Sequence, residues 1–284
     1  MKKIILLSLL SLSLIGCQTR YAKQDKDETS SIQSKEVDEN NNKVKAIAVL
    51  KSLESGDPTA IQSFINPKKY IQHNLGFASG RETILGALSQ FKASGNKVNI
   101  KRVIADGDLV AIHTDYSSGT NSRAGFDVYS FENGQIVEHW DNLQSVPAKT
   151  VSGRTMTDGP IQVTDLANTE YNKNVVRHMV EAVLIGKQLD KSSDYVSTEN
   201  YYQHNPNMGD NLSGFASALE KMAKQDMAIE YTKLHKVIGE GNFVLTMSEG
   251  KLGSKPAAFY DLFRLENYKI VEHWDTVEEI PAKA

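Results

Sequence analysis

The chain has 284 residues, 40% of them hydrophobic and 24% charged, with 32 Lys and Arg against 35 Asp and Glu for a formal net charge of −3. A slightly acidic balance leaves no electrostatic footprint for nucleic acid, and a single cysteine excludes a disulfide within the chain. The length suits two domains of ordinary size.

At the N-terminus Lys2 and Lys3 precede an apolar run from Ile4 to Ile15. The run is shorter than the roughly 20 residues a bilayer span takes and reads as a signal peptide. It ends in Leu14-Ile15-Gly16-Cys17, which resembles the lipobox of bacterial lipoproteins. That resemblance implies removal of residues 1–16, which takes the net charge from −3 to −5 with Lys2 and Lys3 gone, and lipidation of Cys17 with palmitate-type acyl chains. Several acyl chains on one residue hold a protein on a membrane stably. Gln18 is not the aspartate associated with retention in the inner membrane, so an exported protein on the outer membrane, facing the periplasm, is expected. Residues 17–43 mix both charges with Ser, Gln and Asn and carry few apolar side chains, so they are expected to form a disordered tether.

Beyond the tether the sequence repeats itself. "YIQHN" from Tyr70 returns as "YYQHN" from Tyr201, and "NGQIVEHWD" from Asn133 returns as "NYKIVEHWD" from Asn267. The offset is 131 residues at His73 and His204 but 134 from Gly80 and Gly214 onward, a three-residue insertion in the second copy. Repeat one is placed at 44–148, a connector at 149–166 and repeat two at 167–284, with one fold for both.

Within repeat one, Val44, Ile47, Leu50 and Leu53 recur at helical spacing, and Asp57-Pro58 offers a start for a second helix holding Ile61 and Phe64. A third helix follows Ser79 and buries Ile84, Leu88 and Phe91. From Val98 the period changes to two, and Asp106-Gly107 and Asn133-Gly134 are hairpin signals. Strands are expected near 98–105, 109–116, 123–132 and 135–141. Helices followed by an antiparallel meander define an α+β class.

The hairpins allow a register to be written. A two-residue loop at Asn133-Gly134 pairs Phe131 with Ile136, Tyr129 with Glu138 and Asp127 with Trp140; a preceding loop centred on Thr120 puts His113 opposite Asp127. His113, Asp127 and Trp140 then share the face under the helices, while His139 and Asp141 fall on the reverse face with Val128 and Val137. A carboxylate desolvated beneath helices has its pKa raised toward neutrality, as a general acid/base requires. A buried Asp that only fixes the core by hydrogen bonds satisfies the same pattern. Arg102, matched by Lys236, lands on the pocket face unless a bulge turns it outward. No local pair has a metal-ligand spacing such as His-x-x-x-His, so no metal is expected.

"YIQHN", a helix, strands and then "FDVYSFENGQIVEHWD" resemble the SnoaL-like polyketide cyclases of the nuclear transport factor 2-like superfamily, in both repeats. The resemblance implies a curved sheet wrapped by N-terminal helices into a cone with a ligand pocket inside. It also implies intramolecular aldol or isomerase-like chemistry without metal or cofactor, on a small apolar or carbonyl-containing ligand. By position Asp127 is implied as acid/base and His113 as the pocket histidine. Repeat two keeps Asp261 and Trp274 but has Met247 where repeat one has His113. His73 and His204 match a histidine at the pocket edge, and Tyr129, Trp140, Trp274 and Met247 complete the expected pocket residues. Domains of this superfamily pair through outer sheet faces, so an intramolecular pseudo-dimer is expected, with His139, Asp141, His273 and Asp275 in its interface. A tethered binder that turns nothing over is the alternative to an enzyme.

Overall fold

The computed structural model describes residues 15–281, with side chains from Ser34 onward. Residues 1–14, which hold most of the expected signal peptide, lie outside the described residues. Helix α1 runs Ile15–Ser55, followed by α2 (Thr59–Phe64), the two-residue strand β1 (Ile71–Gln72), α3 (Arg81–Ala93) and four long strands. These are β2 (Lys97–Asp106), β3 (Leu109–Ser118), β4 (Asn121–Glu132) and β5 (Gln135–Ser145). Repeat two follows the same order. Helix α4 (Thr169–Met179) ends in a π-helical turn at Val180–Ile185; after a break at 186–188 and a 3-10 turn at Leu189–Lys191 come α5 (Ser192–Tyr195), β6 (Tyr202–Gln203), α6 (Asn211–Lys224) and strands β7 (Ile229–Glu240), β8 (Phe243–Leu252), β9 (Lys255–Glu266) and β10 (Lys269–Glu279).

The segment expected as a tether is helical, because no glycine or proline interrupts residues 17–55. Its second half is also held by the body of the protein. Glu39 accepts the Gly107 N–H at 2.7 Å, and Lys43 pairs with Glu240 of the second repeat at 2.5 Å.

Each repeat contributes its own five-stranded sheet, ordered β1-β5-β4-β3-β2 and β6-β10-β9-β8-β7. The long strands pair antiparallel, while β1 and β6 add in parallel to β5 and β10. Asn133 and Gly134 both take positive φ, 50° and 73°, as a tight primed turn demands. The helix-covered face of the first sheet buries Tyr129, Phe131 and Ile136 against Leu50, Ile61 and Ile84. The reverse faces of the two sheets share another apolar cluster, in which Ile104, Ala111, Phe126 and Val128 meet Phe243, Leu245, Leu262 and Trp274. Gln144 accepts the Val277 N–H at 2.9 Å, and Asn142 donates to the Ala258 carbonyl at 3.1 Å.

Two single-residue shifts correct the sequence-derived register. The β3–β4 loop is the two-residue turn Gly119-Thr120, so His113 pairs with Phe126, and Asp127 faces Ile112. A β-bulge at Val137 follows the correct Phe131–Ile136 pair and puts Asp127 opposite Asp141, Val128 opposite Trp140 and Tyr129 opposite His139. Because strand side chains alternate, each one-residue shift exchanges the two faces. His113 and Trp140 therefore leave the face of Asp127, and His139 and Asp141 join it. Repeat two carries the same bulge at Val271. A further bulge at Lys101 turns Arg102 outward, away from the helices, and so decides the choice its spacing left open.

Candidate functional site

Beneath the helices of repeat one lies a cavity of about 530 Å³, walled by side chains such as Leu53, Ile65, Phe77, Phe91 and Val98. Asp127, His139, Asp141, Tyr129, Tyr116 and Tyr70 line it. Asp127 is 3% exposed. Its Oδ1 lies 3.2 Å from His139 Nε2, and its Oδ2 accepts the Tyr116 hydroxyl. Tyr116 fits because Gly125 stands beside its ring; a Cβ there would lie 2.9 Å from Tyr116 Cε2 and 2.4 Å from Leu143 Cδ2.

The "YIQHN" motif supplies the outer ring of this network by alternation along β1. Gln72 and Asn74 point to the cavity side, and His73 points away. Gln72 Oε1 accepts the Asn74 N–H and lies 2.9 Å from His139 Nδ1, while Gln72 Nε2 donates to Tyr70 Oη. With the amide oxygen so fixed, His139 Nδ1 carries a hydrogen. His139 Nε2 and Asp127 then share a single proton between them. Asn74 Oδ1 accepts the Gly76 N–H, and its amide nitrogen donates to Asp141 Oδ2 at 2.6 Å.

Burial opposes charge on His139, but the Asp127 hydrogen bond and the nearby Asp141 and Asp127 charges outweigh it, so its pKa is raised. Asp141 is raised chiefly by burial, against the attraction of His139 and with repulsion from Asp127 added. Burial, reinforced by Asp127, pushes the Tyr116 and Tyr129 phenols well up, keeping both hydroxyls protonated. Tyr129 also lies against the His139 ring, with centroids 4.6 Å apart.

Repeat two builds the same site in a smaller cavity of about 370 Å³, walled by side chains such as Met179, Val183, Val196, Leu212 and Phe215. Asp261 Oδ1 lies 3.1 Å from His273 Nε2, His273 Nδ1 lies 3.0 Å from Gln203 Oε1, and Asn205 donates to Asp275 Oδ2 at 2.6 Å. The tyrosine arrives from a different strand. Gly250 occupies the position of Tyr116 and Phe259 that of Gly125, and Tyr231 on β7 stacks on Phe259 and donates to Asp261 Oδ1 at 2.9 Å. Asp261 Oδ2 and Asp275 Oδ1 are buried without a hydrogen-bond partner. Burial is the largest influence on Asp275; repulsion from Asp261 adds to it against His273 and Asn205, and its pKa rises to about 6.

These placements overturn several expectations. His113 is fully buried on the reverse face, stacked on Phe126 with Nδ1 3.0 Å from Arg102, and burial holds its pKa well down. Trp140, Trp274 and Met247 belong to the region between the sheets rather than to the cavities. His73 stacks on Trp140 and His204 on Trp274, each bonded to a glutamate, Glu138 and Glu272. His139 and Asp141 line the first cavity and His273 and Asp275 the second, with Asp141 also at the edge of the groove between the repeats. The clue to the missed residues lay in the repeat: both copies keep the Gln, Asn, His and Asp of the network, whereas His113 becomes Met247.

Ligand-type atoms of Asp127, His139 and Asp141 lie within 4.8 Å of one another, as do those of Asp261, His273 and Asp275. Sequence spacing could not show these sets, because β4 and β9 supply one member and β5 and β10 the others. A cation there would have to displace the proton that each carboxylate and imidazole share.

Residues 46–139 match the family model of the SnoaL-like domain. Among solved structures, the chain is similar to TsrD from Streptomyces laurentii (16% identity, 36% of this chain and 89% of that chain, TM-score 0.31). It is also similar to IdmH, a putative polyketide cyclase from Streptomyces antibioticus (18%, 36% and 91%, TM-score 0.31), and to a LEH-like epoxide hydrolase of M. tuberculosis (20%, 37% and 84%, TM-score 0.33). No curated protein matches the chain.

Proposed function

We propose that this is a lipid-anchored protein of two SnoaL-like units that binds a small apolar, carbonyl-containing molecule and moves a proton on it without a cofactor. The observation that carries this reading is the carboxylate–imidazole pair enclosed in each apolar cavity, with the imidazole tautomer set by a glutamine. Asp127 or Asp261 takes a proton from the carbon beside the ligand carbonyl, and the paired imidazole stabilises either charge state. The neighbouring carboxyl, Asp141 or Asp275, has a raised pKa and in its acid form donates to the developing oxyanion.

The units differ in a way that favours a second reading for the first cavity. Both Asp127 oxygens are engaged, by His139 and Tyr116, which suits binding without turnover, whereas Asp261 keeps Oδ2 free. Mass spectrometry of the ligand that co-purifies, compared between the wild type, Asp127→Asn and Asp261→Asn, tests the assignment. A catalytic carboxylate gives a variant that retains unconverted ligand; a binding carboxylate gives altered occupancy only.

The reverse-face contacts support an intramolecular pseudo-dimer of two cone-shaped barrels. The Leu14–Cys17 motif supports anchoring through Cys17, and Gln18 after it supports an outer-membrane position. No described helix is long and apolar enough to cross a membrane, which is compatible with an acyl anchor.

A further inference from the structure

Two equivalent grooves lie where the repeats meet, and among the described residues only one is filled. In the filled groove, Arg102 of the first repeat stands 4.1 Å over the Trp274 ring. Connector residues 155–160 cross it there. Arg102 donates to the carbonyls of Thr157, Asp158 and Pro160, Trp274 Nε1 donates to the Asp158 carbonyl at 2.9 Å, and His204 Nδ1 lies 2.7 Å from the Thr155 carbonyl and 2.8 Å from the Asp158 carboxylate. Gly159 is required, because a Cβ there would come within 3.0 Å of Trp274 Cζ2 and 2.8 Å of Glu272 Oε1. Upstream, the Val151 N–H donates to the Pro206 carbonyl, and Arg154 covers the Tyr202 ring at 4.5 Å.

The counterpart groove, about 440 Å³, has the same framework from the other copies: Lys236 stands 4.5 Å over Trp140, and His73 stacks on that indole. Lys236 Nζ, Trp140 Nε1 and His73 Nδ1 have no hydrogen-bond or ion-pair partner among the described residues. Ile71 and Leu75, at the positions of Tyr202 and Pro206, are 42% and 52% exposed. Donors and apolar surface that the connector satisfies on one side are left open on the other.

We propose that the open groove binds a polypeptide segment with the chemistry of the connector: successive main-chain carbonyls for Lys236 and Trp140, a glycine against the indole, and a carboxylate for His73. The occupant comes from a partner protein, since this chain's own connector is committed at Trp274. Charge-assisted bonds from Lys236 and His73 and burial of Leu75 supply the affinity. The groove adjoins the first cavity, with which it shares Leu75, Asp141 and Glu278, and is separate from the second.

The test uses a fluorescein-labelled synthetic peptide of the connector sequence 150–161, TVSGRTMTDGPI, titrated with the full chain and followed by anisotropy. Saturable binding is expected, weakened about tenfold by Lys236→Glu. A peptide with alanine at the Gly159 position should also bind more weakly. Leu75→Asp, at an exposed position, gives a second variant should Lys236→Glu fail to fold. No saturable binding, or equal binding by wild type and the groove variants, overturns the proposal.

Discussion

Replacing Asp275 by asparagine should make stability rise relative to wild type as pH rises. Its carboxyl is raised from 3.8 to about 6 in the folded protein, mainly by burial. A raised folded pKa means that the native state binds the proton more tightly than the unfolded chain. The stability this contributes is fully present below pH 3.8 and is lost as pH rises through about 6. At about 1.4 kcal/mol per pKa unit, this displacement amounts to roughly 3 kcal/mol. That displacement already contains the attraction of His273, and because the unfolded carboxyl has begun to ionise at pH 4, roughly 2.5 kcal/mol of it falls between pH 4 and pH 7.5. An asparagine at this position cannot ionise, and its side chain still offers an oxygen to Asn205. Urea unfolding of the full chain at pH 4 and pH 7.5 measures the effect. Asp275→Asn minus wild type should grow by about 2–3 kcal/mol between the two. A difference that stays flat, or that falls, would refute the view of Asp275 as an acid destabilised by its surroundings.

Gly125→Ala should destabilise repeat one by about 1–3 kcal/mol, since its Cβ would overlap Leu143 and crowd Tyr116; the urea midpoint reads the loss. Arg102→Ala should expose residues 154–160 to limited proteolysis, because it removes the donor that holds three connector carbonyls. Unchanged cleavage would place the connector's anchorage elsewhere. Cys17→Ala should move the protein from the membrane fraction to the soluble fraction on cell fractionation, and continued sedimentation with membranes would count against an acyl anchor.

The α+β class and the long strands could be read from periodicity and turn residues alone, because each is written over many positions. The faces could not. They depend on where the chain gains or loses one residue, at Gly119-Thr120 and at Val137, and nothing in a period-two pattern marks such a step once both faces of a sheet are buried. Here the reverse face packs against a second sheet, so Val128 and Phe126 are as apolar as Tyr129 and Phe131. The same two steps sent His113 and Trp140 to the wrong side and hid His139. Asp127 kept its place because one step falls in the loop before its strand and the other on the neighbouring strand β5, so its spacing from Phe131 is undisturbed. The helical tether was missed for another reason: composition reported low apolar content, while the absence of any glycine or proline from 17 to 55 carried the helix.

The most direct measurement is solvent deuterium uptake at the α-carbon of small apolar ketones, followed by NMR with catalytic amounts of the full chain. The wild type should accelerate exchange, and the double variant Asp127→Asn, Asp261→Asn should lose about 10²–10⁴-fold of that rate while still binding the ketone. Exchange as fast in the double variant as in the wild type, with the ketone bound to both, would contradict proton transfer by these carboxylates.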